Sequence, residues 1–236
     1  MMNAATKRFY KTVETKEDDG AYVVLLDGRA LKTPGKTLLQ AGSHRLAQAI
    51  ADEWLAQDVK IVPDTMPITK ALNTAIDRVG PNRAAVVNEI AKYAETDLLC
   101  YRAESPAELV RRQAKAWDPC LEWAAKRYGA RLLVTSGVVH AEQPVEALER
   151  LCGAIGSEDI YRLVPLHTAT TVTGSVVLGL AMMTGALDAE GAFKASCIDA
   201  DFQAERWGRD AEAEAVRARR LADLEAAGRF LALLPT

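Results

Sequence analysis

Histidine is scarce (His44, His140 and His167), and no Cys-x-x-Cys or His-Glu-x-x-His spacing occurs, which argues against a metalloenzyme. The four cysteines, Cys100, Cys120, Cys152 and Cys197, lie far apart and read as reduced core thiols. Charge of one sign is lacking too: 29 Lys and Arg face 32 Asp and Glu, a net of −3. Such a balance offers no field for nucleic acid or an anionic membrane. The most apolar stretch, Val172 to Met183, contains Gly174, Ser175 and Gly179 and falls short of the roughly 18–20 residues needed to cross a bilayer. It reads as a buried helix, without membrane insertion. The N-terminal residues carry no apolar run behind their basic ones and resemble neither a secretory signal nor a long Arg-rich transit peptide. The expected location is the cytoplasm.

What is present is an ordinary globular composition, 49% hydrophobic and 26% charged, in a length suited to one large domain or two modest ones. From Lys7 to Leu39 the pattern alternates with period two. Asp27-Gly28 separates two apolar runs, the strongest short-range hairpin signal, because both turn residues must tolerate positive φ. A further turn at Thr33–Lys36 precedes a short strand from Thr37 to Gln40. Ser43 is placed to cap a helix whose Leu46, Ile50 and Trp54 share one face, and Trp54 is expected to pack in the core beneath the sheet. Ile68, Leu72, Ala75, Ile76 and Val79 continue at helical spacing to Gly80-Pro81, read as a helix stop.

Beyond that point the chain reads as helical over 82–94, 106–128, 144–155, 157–184 and 188–234, the last with a break. Two β-like pieces, 98–102 and 131–135, are candidates for a small ribbon. The fold class is therefore α+β: a β-rich N-terminal lobe with covering helices over 1–80, then a mostly helical lobe over 81–236.

Gly174 to Ala181 has the glycine spacing of a phosphate-binding loop, but Leu180-Ala181 stand where Lys and Ser/Thr are required, so no nucleotide is expected. Gly174, Ser175, Gly179 and Ala181 read instead as small residues that admit a neighbouring helix. Trp117-Asp118-Pro119 interrupts a helical pattern and reads as a structural joint, with a restart capped by Asp118. From Asp199 to Glu214 six acids outnumber Arg206 and Arg209, with Phe202 and Trp207 among them, and Arg217, Arg219 and Arg220 follow. A solvated helix face accounts for the charges. The aromatics make Glu205, Trp207, Asp210 and Glu212 candidates for gripping a partner protein. No converging pair of carboxylates is evident, and no catalytic residue, metal or cofactor is assigned. The alternative is a small-molecule enzyme using polar groups between the lobes, with Asp97, Tyr101 and Arg102 as candidates.

Taken together, Leu26-Asp27-Gly28-Arg29-Ala30-Leu31-Lys32-Thr33-Pro34, Glu53-Trp54, Glu95-Thr96-Asp97-Leu98-Leu99-Cys100-Tyr101-Arg102, Gln113-x-x-x-Trp117-Asp118-Pro119 and Phe202-Gln203-x-Glu205-x-Trp207-Gly208 resemble one family. It is the assembly chaperone family of the F-type ATP synthase catalytic head, the member that binds unassembled alpha subunit. The resemblance runs from Lys7 to about Leu234. It implies a non-enzymatic chaperone that needs no nucleotide and holds the alpha subunit by the surface later covered by the beta subunit. It also implies a bacterial cytoplasmic location, the related eukaryotic members being mitochondrial.

Overall fold

The computed structural model describes residues 6–137, 139–208 and 210–235. Met1 to Ala5 of the N-terminal reading and Arg209 of the charged stretch lie outside the described residues. The chain forms two compact units, residues 1–82 with 229–236, and residues 83–228. The architecture is α+β, with a small antiparallel sheet near the N-terminus and helices through most of the remainder.

In the first unit, β1 (Val13–Asp18) pairs antiparallel with β2 (Ala21–Leu26), which also pairs with β3 (Arg29–Ala30) and β4 (Gln40–Ala41). The β2–β3 hairpin turns on Asp27 (φ 47°) and Gly28 (φ 74°), as the Asp-Gly signal predicts. Asp27 does more than turn: its Oδ1 accepts from the amides of Lys11 and Thr12 at 2.9 and 2.8 Å, tying down the approach to β1. Those two amides lower its pKa. The short strand expected over 37–40 is displaced: Lys32 and Leu38 form an isolated bridge, and the paired residues are Gln40 and Ala41.

Helix α1 (His44–Leu55) starts where Ser43 Oγ accepts from the Leu46 amide at 3.1 Å, and buries Leu46, Ala47, Ile50 and Ala51. Trp54 departs from the expected core position. It is half-buried, its ring lies edge-on to Tyr10 at 5.6 Å, and its carbonyl accepts from the Tyr10 hydroxyl. The adjacent Glu53 has a role that local sequence did not reveal. Helix α2 (Pro67–Thr74) begins with no side-chain cap of its own. Glu53 supplies one from α1, accepting from the amides of Ile68 and Thr69 at 2.7 and 2.8 Å and from the Thr69 hydroxyl. A carboxylate at exposed helix amides meets both hydrogen-bonding need and dipole.

Gly80-Pro81 is not the expected stop. A π-helical turn (Ala75–Val79) and a 3-10 turn (Gly80–Asn82) carry the backbone onward from α2 into α3 (Arg83–Lys92). Proline is tolerated at the start of a helical turn, where its missing N–H has no partner to lose.

In the second unit, a 3-10 turn (Leu98–Cys100) leads to β5 (Tyr101–Arg102), then α4 (Ala107–Tyr128), β6 (Thr135–Ser136) and α5 (Val145–Gly156). The ribbon is smaller than expected and parallel, Tyr101 opposite Thr135 and Arg102 opposite Ser136. The single helix read over 157–184 is two, α6 (Ile160–Thr173) and α7 (Val176–Met183). Between them Gly174 (φ 72°) turns the chain and Ser175 caps α7. Thus Gly174 and Ser175 serve the turn rather than helix contact. Gly179 does admit a neighbour, because a Cβ there would lie 2.6 Å from Thr170 Oγ1 on α6. Every residue of α7 is buried, which makes it the centre of this unit's core. The remaining helices are α8 (Ala189–Ser196), α9 (Ile198–Trp207) and α10 (Ala211–Leu233). All four cysteines are free thiols, and Cys152 is half-buried where the other three are buried.

Pro119 overturns the restart read at Trp117-Asp118-Pro119, for α4 runs unbroken through it. Asp118 is no cap; its carboxylate lies 2.8 Å from Arg102. Burial of Gln113, Trp117, Cys120 and Ala124 along one face outweighs the loss of one backbone hydrogen bond. Because Pro119 itself is exposed, Pro119→Ala restores an N–H for the Lys115 carbonyl without disturbing packing. Urea unfolding is expected to show a gain of about 1–3 kcal/mol. A loss would mean that Pro119 fixes the course of α4.

Candidate functional site

Helix α4 anchors the part of the molecule in question by three side chains. Gln113 Nε2 donates to Asp199 Oδ1 at 2.6 Å, while Gln113 Oε1 accepts from the Ala103 amide. Trp117 Nε1 donates to the Ala195 carbonyl at 2.7 Å, holding the end of α8. Arg112 donates from Nη1 to both oxygens of Glu205, at 2.9 and 2.8 Å, and from Nη2 to Glu108. Those two carboxylates raise the Arg112 pKa. Phe202, buried on the same face of α9, lies beneath the guanidinium groups of Arg112 and Arg206, 5.3 and 4.3 Å from its ring centre. The Gln113-x-x-x-Trp117 spacing is thus one helical turn that fixes the α8–α9 corner.

Helix α9 ends at Trp207, and Gly208 follows with φ 90° and ψ 169°, a backbone region essentially reserved for glycine. Asp210 then accepts from the Ala213 amide through Oδ2 and caps α10. Two arginines help to attach the N-terminal half of α10. Arg217 Nη1 lies 2.6 Å from Asp201 Oδ1, with its guanidinium over the Phe193 ring, and Arg220 donates to the Val172 carbonyl at the end of α6. Above them the helices stand apart around a cleft of about 630 Å³. Its walls include Phe193, Cys197, Ala200, Ala204 and Val216, and its mouth Trp207, Asp210 and Glu212. Trp207 is 79% exposed and Val216 48%.

Three of the four partner-binding candidates therefore meet at one cleft. The fourth, Glu205, is turned toward α4 by Arg112 and acts on the cleft by holding α9. Phe193 and Val216 were not read from the sequence, since neither stands out from an ordinary helical pattern. Arg217 was visible only as part of a basic run.

The polar trio of the alternative reading is occupied locally. Asp97 is fully buried and accepts from the Leu99 amide, the Ser175 hydroxyl and the Val177 amide at 3.0, 3.0 and 3.2 Å. Burial pushes its pKa up to about 6 despite those donors. Burial and the nearby Asp97 also push the Cys100 thiol up to about 12, which keeps it protonated and a poor nucleophile. Arg102 is buried, donates from Nε to the Leu99 carbonyl and pairs with Asp118, whereas Tyr101 shares a hydrogen bond with His140. Among the described residues no group of His, Cys, Asp and Glu is arranged to hold a metal ion, and no helix is long and apolar enough to cross a membrane.

Residues 7–125 match the family model described as ATP12 chaperone protein. The mitochondrial protein atp12 of the fission yeast Schizosaccharomyces pombe is 25% identical over 214 residues, covering 86% of this chain and 74% of its own. Among solved structures, Atp12 from Paracoccus denitrificans is 44% identical, covers 98% of this chain and 99% of its own, and superposes with a TM-score of 0.94. A structure from Agrobacterium tumefaciens is 42% identical, covers 96% of this chain and 85% of its own, and gives a TM-score of 0.91.

Proposed function

The chain belongs to the ATP12 chaperone family, and on that premise we propose that it is a non-enzymatic assembly factor for the F1 head of ATP synthase. It captures the unassembled alpha subunit, without nucleotide, and shields the surface that the beta subunit later covers. The α9–α10 cleft is the capture site. One observation carries this assignment: Trp207, a large aromatic side chain, stands 79% exposed at the lip of an apolar-walled cleft. Exposed aromatics beside a pocket are the side chains that contribute most to protein–protein binding. Asp210 and Glu212 flank it and add electrostatic selection, and Glu205 holds α9 in place through Arg112. A chaperone must also release its client, so a small anchor with a charged rim suits the task better than a broad apolar interface.

Co-expression with the cognate alpha subunit, scored as soluble complex, tests the capture. Trp207→Ala is expected to weaken it by about 2 kcal/mol or more, about thirtyfold in affinity. The thermal midpoint should scarcely move, because exposed substitutions usually shift stability by no more than about 0.5 kcal/mol. Undiminished capture by the variant would move the contact away from this cleft.

A further inference from the structure

We infer that the α9–α10 cleft recognises a basic amphipathic segment: one apolar side chain seated on the floor and a lysine or arginine set against the rim. This rests on the reading of the cleft as the alpha-subunit capture site, and it names the chemistry of the element taken.

The charge balance at the cleft has a direction. Of its acids, Asp201 is neutralised by Arg217 at 2.6 Å. Of its bases, Arg217 is thereby spent, and Arg220, which also lines the cleft, keeps its single charge while donating to the Val172 carbonyl. Among the described residues no ion pair involves Asp210 or Glu212 at the mouth. Arg220 and the α10 N-terminus together offset roughly one and a half charges, less than these two carboxylates carry. The mouth is left negative.

Between these charges part of the lining is apolar. Phe193, Cys197, Ala200, Ala204 and Val216 offer no hydrogen bond from their side chains beyond a weak thiol, so an apolar group suits that part better than a polar one. An apolar side chain entering between Trp207 and Val216 covers both. A cation one helical turn away on the same segment then meets Asp210 and Glu212. An acidic segment of the same shape faces like charge at the rim, and a purely apolar one forgoes the attraction.

The test uses the full chain and two short synthetic helices of one leucine-bearing design, flanked by lysine in one and by glutamate in the other. Binding is followed through the fluorescence difference between wild type and Trp207→Phe, which isolates the exposed indole. The lysine peptide is expected to bind with a blue shift and to weaken as salt rises, while the glutamate peptide binds more weakly. Val216→Glu should lower affinity for the lysine peptide by about tenfold or more. Glu212→Lys should lower it by about two- to fivefold and improve the glutamate peptide. Equal or tighter binding of the glutamate peptide, or indifference to Val216→Glu, overturns the inference. Alpha-subunit capture is measured beside it with the same variants. Capture lost in Val216→Glu while the peptides are not discriminated leaves the capture site standing and rejects the basic segment. Lysine-peptide selectivity with no alpha-subunit capture in wild type supports the recognition chemistry and rejects the alpha-subunit reading.

Discussion

Trp117→Ala is expected to cost the second unit about 3–5 kcal/mol, the range for emptying a buried tryptophan site. The indole is 1% exposed, donates to the Ala195 carbonyl at 2.7 Å and lies 5.1 Å from the Arg102 guanidinium that covers its ring. Removing it opens a cavity, strands a carbonyl at the end of α8 and takes away the surface on which Arg102 rests. A domain's whole stability is about 5–15 kcal/mol, so most of the protein should become insoluble or unfold well below the wild-type midpoint. Trp117→Phe keeps most of the volume and loses the N–H donor, for a cost of about 1–2 kcal/mol. Chemical unfolding of the three proteins decides the matter. If Trp117→Ala unfolded like wild type, α4 would not be holding the α8–α9 corner by this side chain, and the cleft would need another support.

Asp97→Ala is expected to cost about 3 kcal/mol at pH 7. Three donors converge on this carboxylate, and each left without an acceptor in the interior costs about 1–3 kcal/mol. Against that, burial holds the Asp97 pKa at about 6 instead of 3.8, a penalty on the charged form of about 3 kcal/mol that the substitution removes. The raised folded-state pKa fixes the sign of the pH dependence. The contribution of Asp97 is fully present below pH 3.8, declines as pH rises through about 6, and is constant above that. Wild type minus Asp97→Asn, measured by unfolding from pH 4 to pH 8, should therefore fall with rising pH. A difference that rises with pH would show that the three donors outweigh burial.

Local chemistry made the β2–β3 hairpin and the Ser43 cap legible, because each is decided within a few residues. The hairpin at Asp19-Gly20 carries the same signature, with φ of 47° and 77°, yet was missed. Its leading strand, Val13–Asp18, is exposed over most of its length and polar, so an apolar run flanks the turn on one side only. Pro119 misled for the opposite reason: a strong local penalty was overridden by packing that only the folded unit supplies. At the cleft, the acidic and aromatic composition was visible in the sequence, as was the family resemblance. What could not be seen was which carboxylates are already engaged. Glu205 meets Arg112 across 93 positions and Gln113 meets Asp199 across 86, separations at which no periodicity speaks.

The first unit is not continuous along the chain. Residues 229–235 return to it: Phe230 is fully buried, Ser43 Oγ donates to the Leu233 carbonyl, and Pro235 packs 3.3 Å from where a Cβ on Gly42 would stand. During translation the sheet and α1 emerge first, but the residues that complete their unit are made only after all of 83–228. The order of synthesis and the order of completion are therefore reversed. The N-terminal hairpins must wait, with part of their apolar surface uncovered, while the helices that carry the cleft are free to fold ahead of them. A member of a chaperone family thus passes through an uncovered stage in its own making.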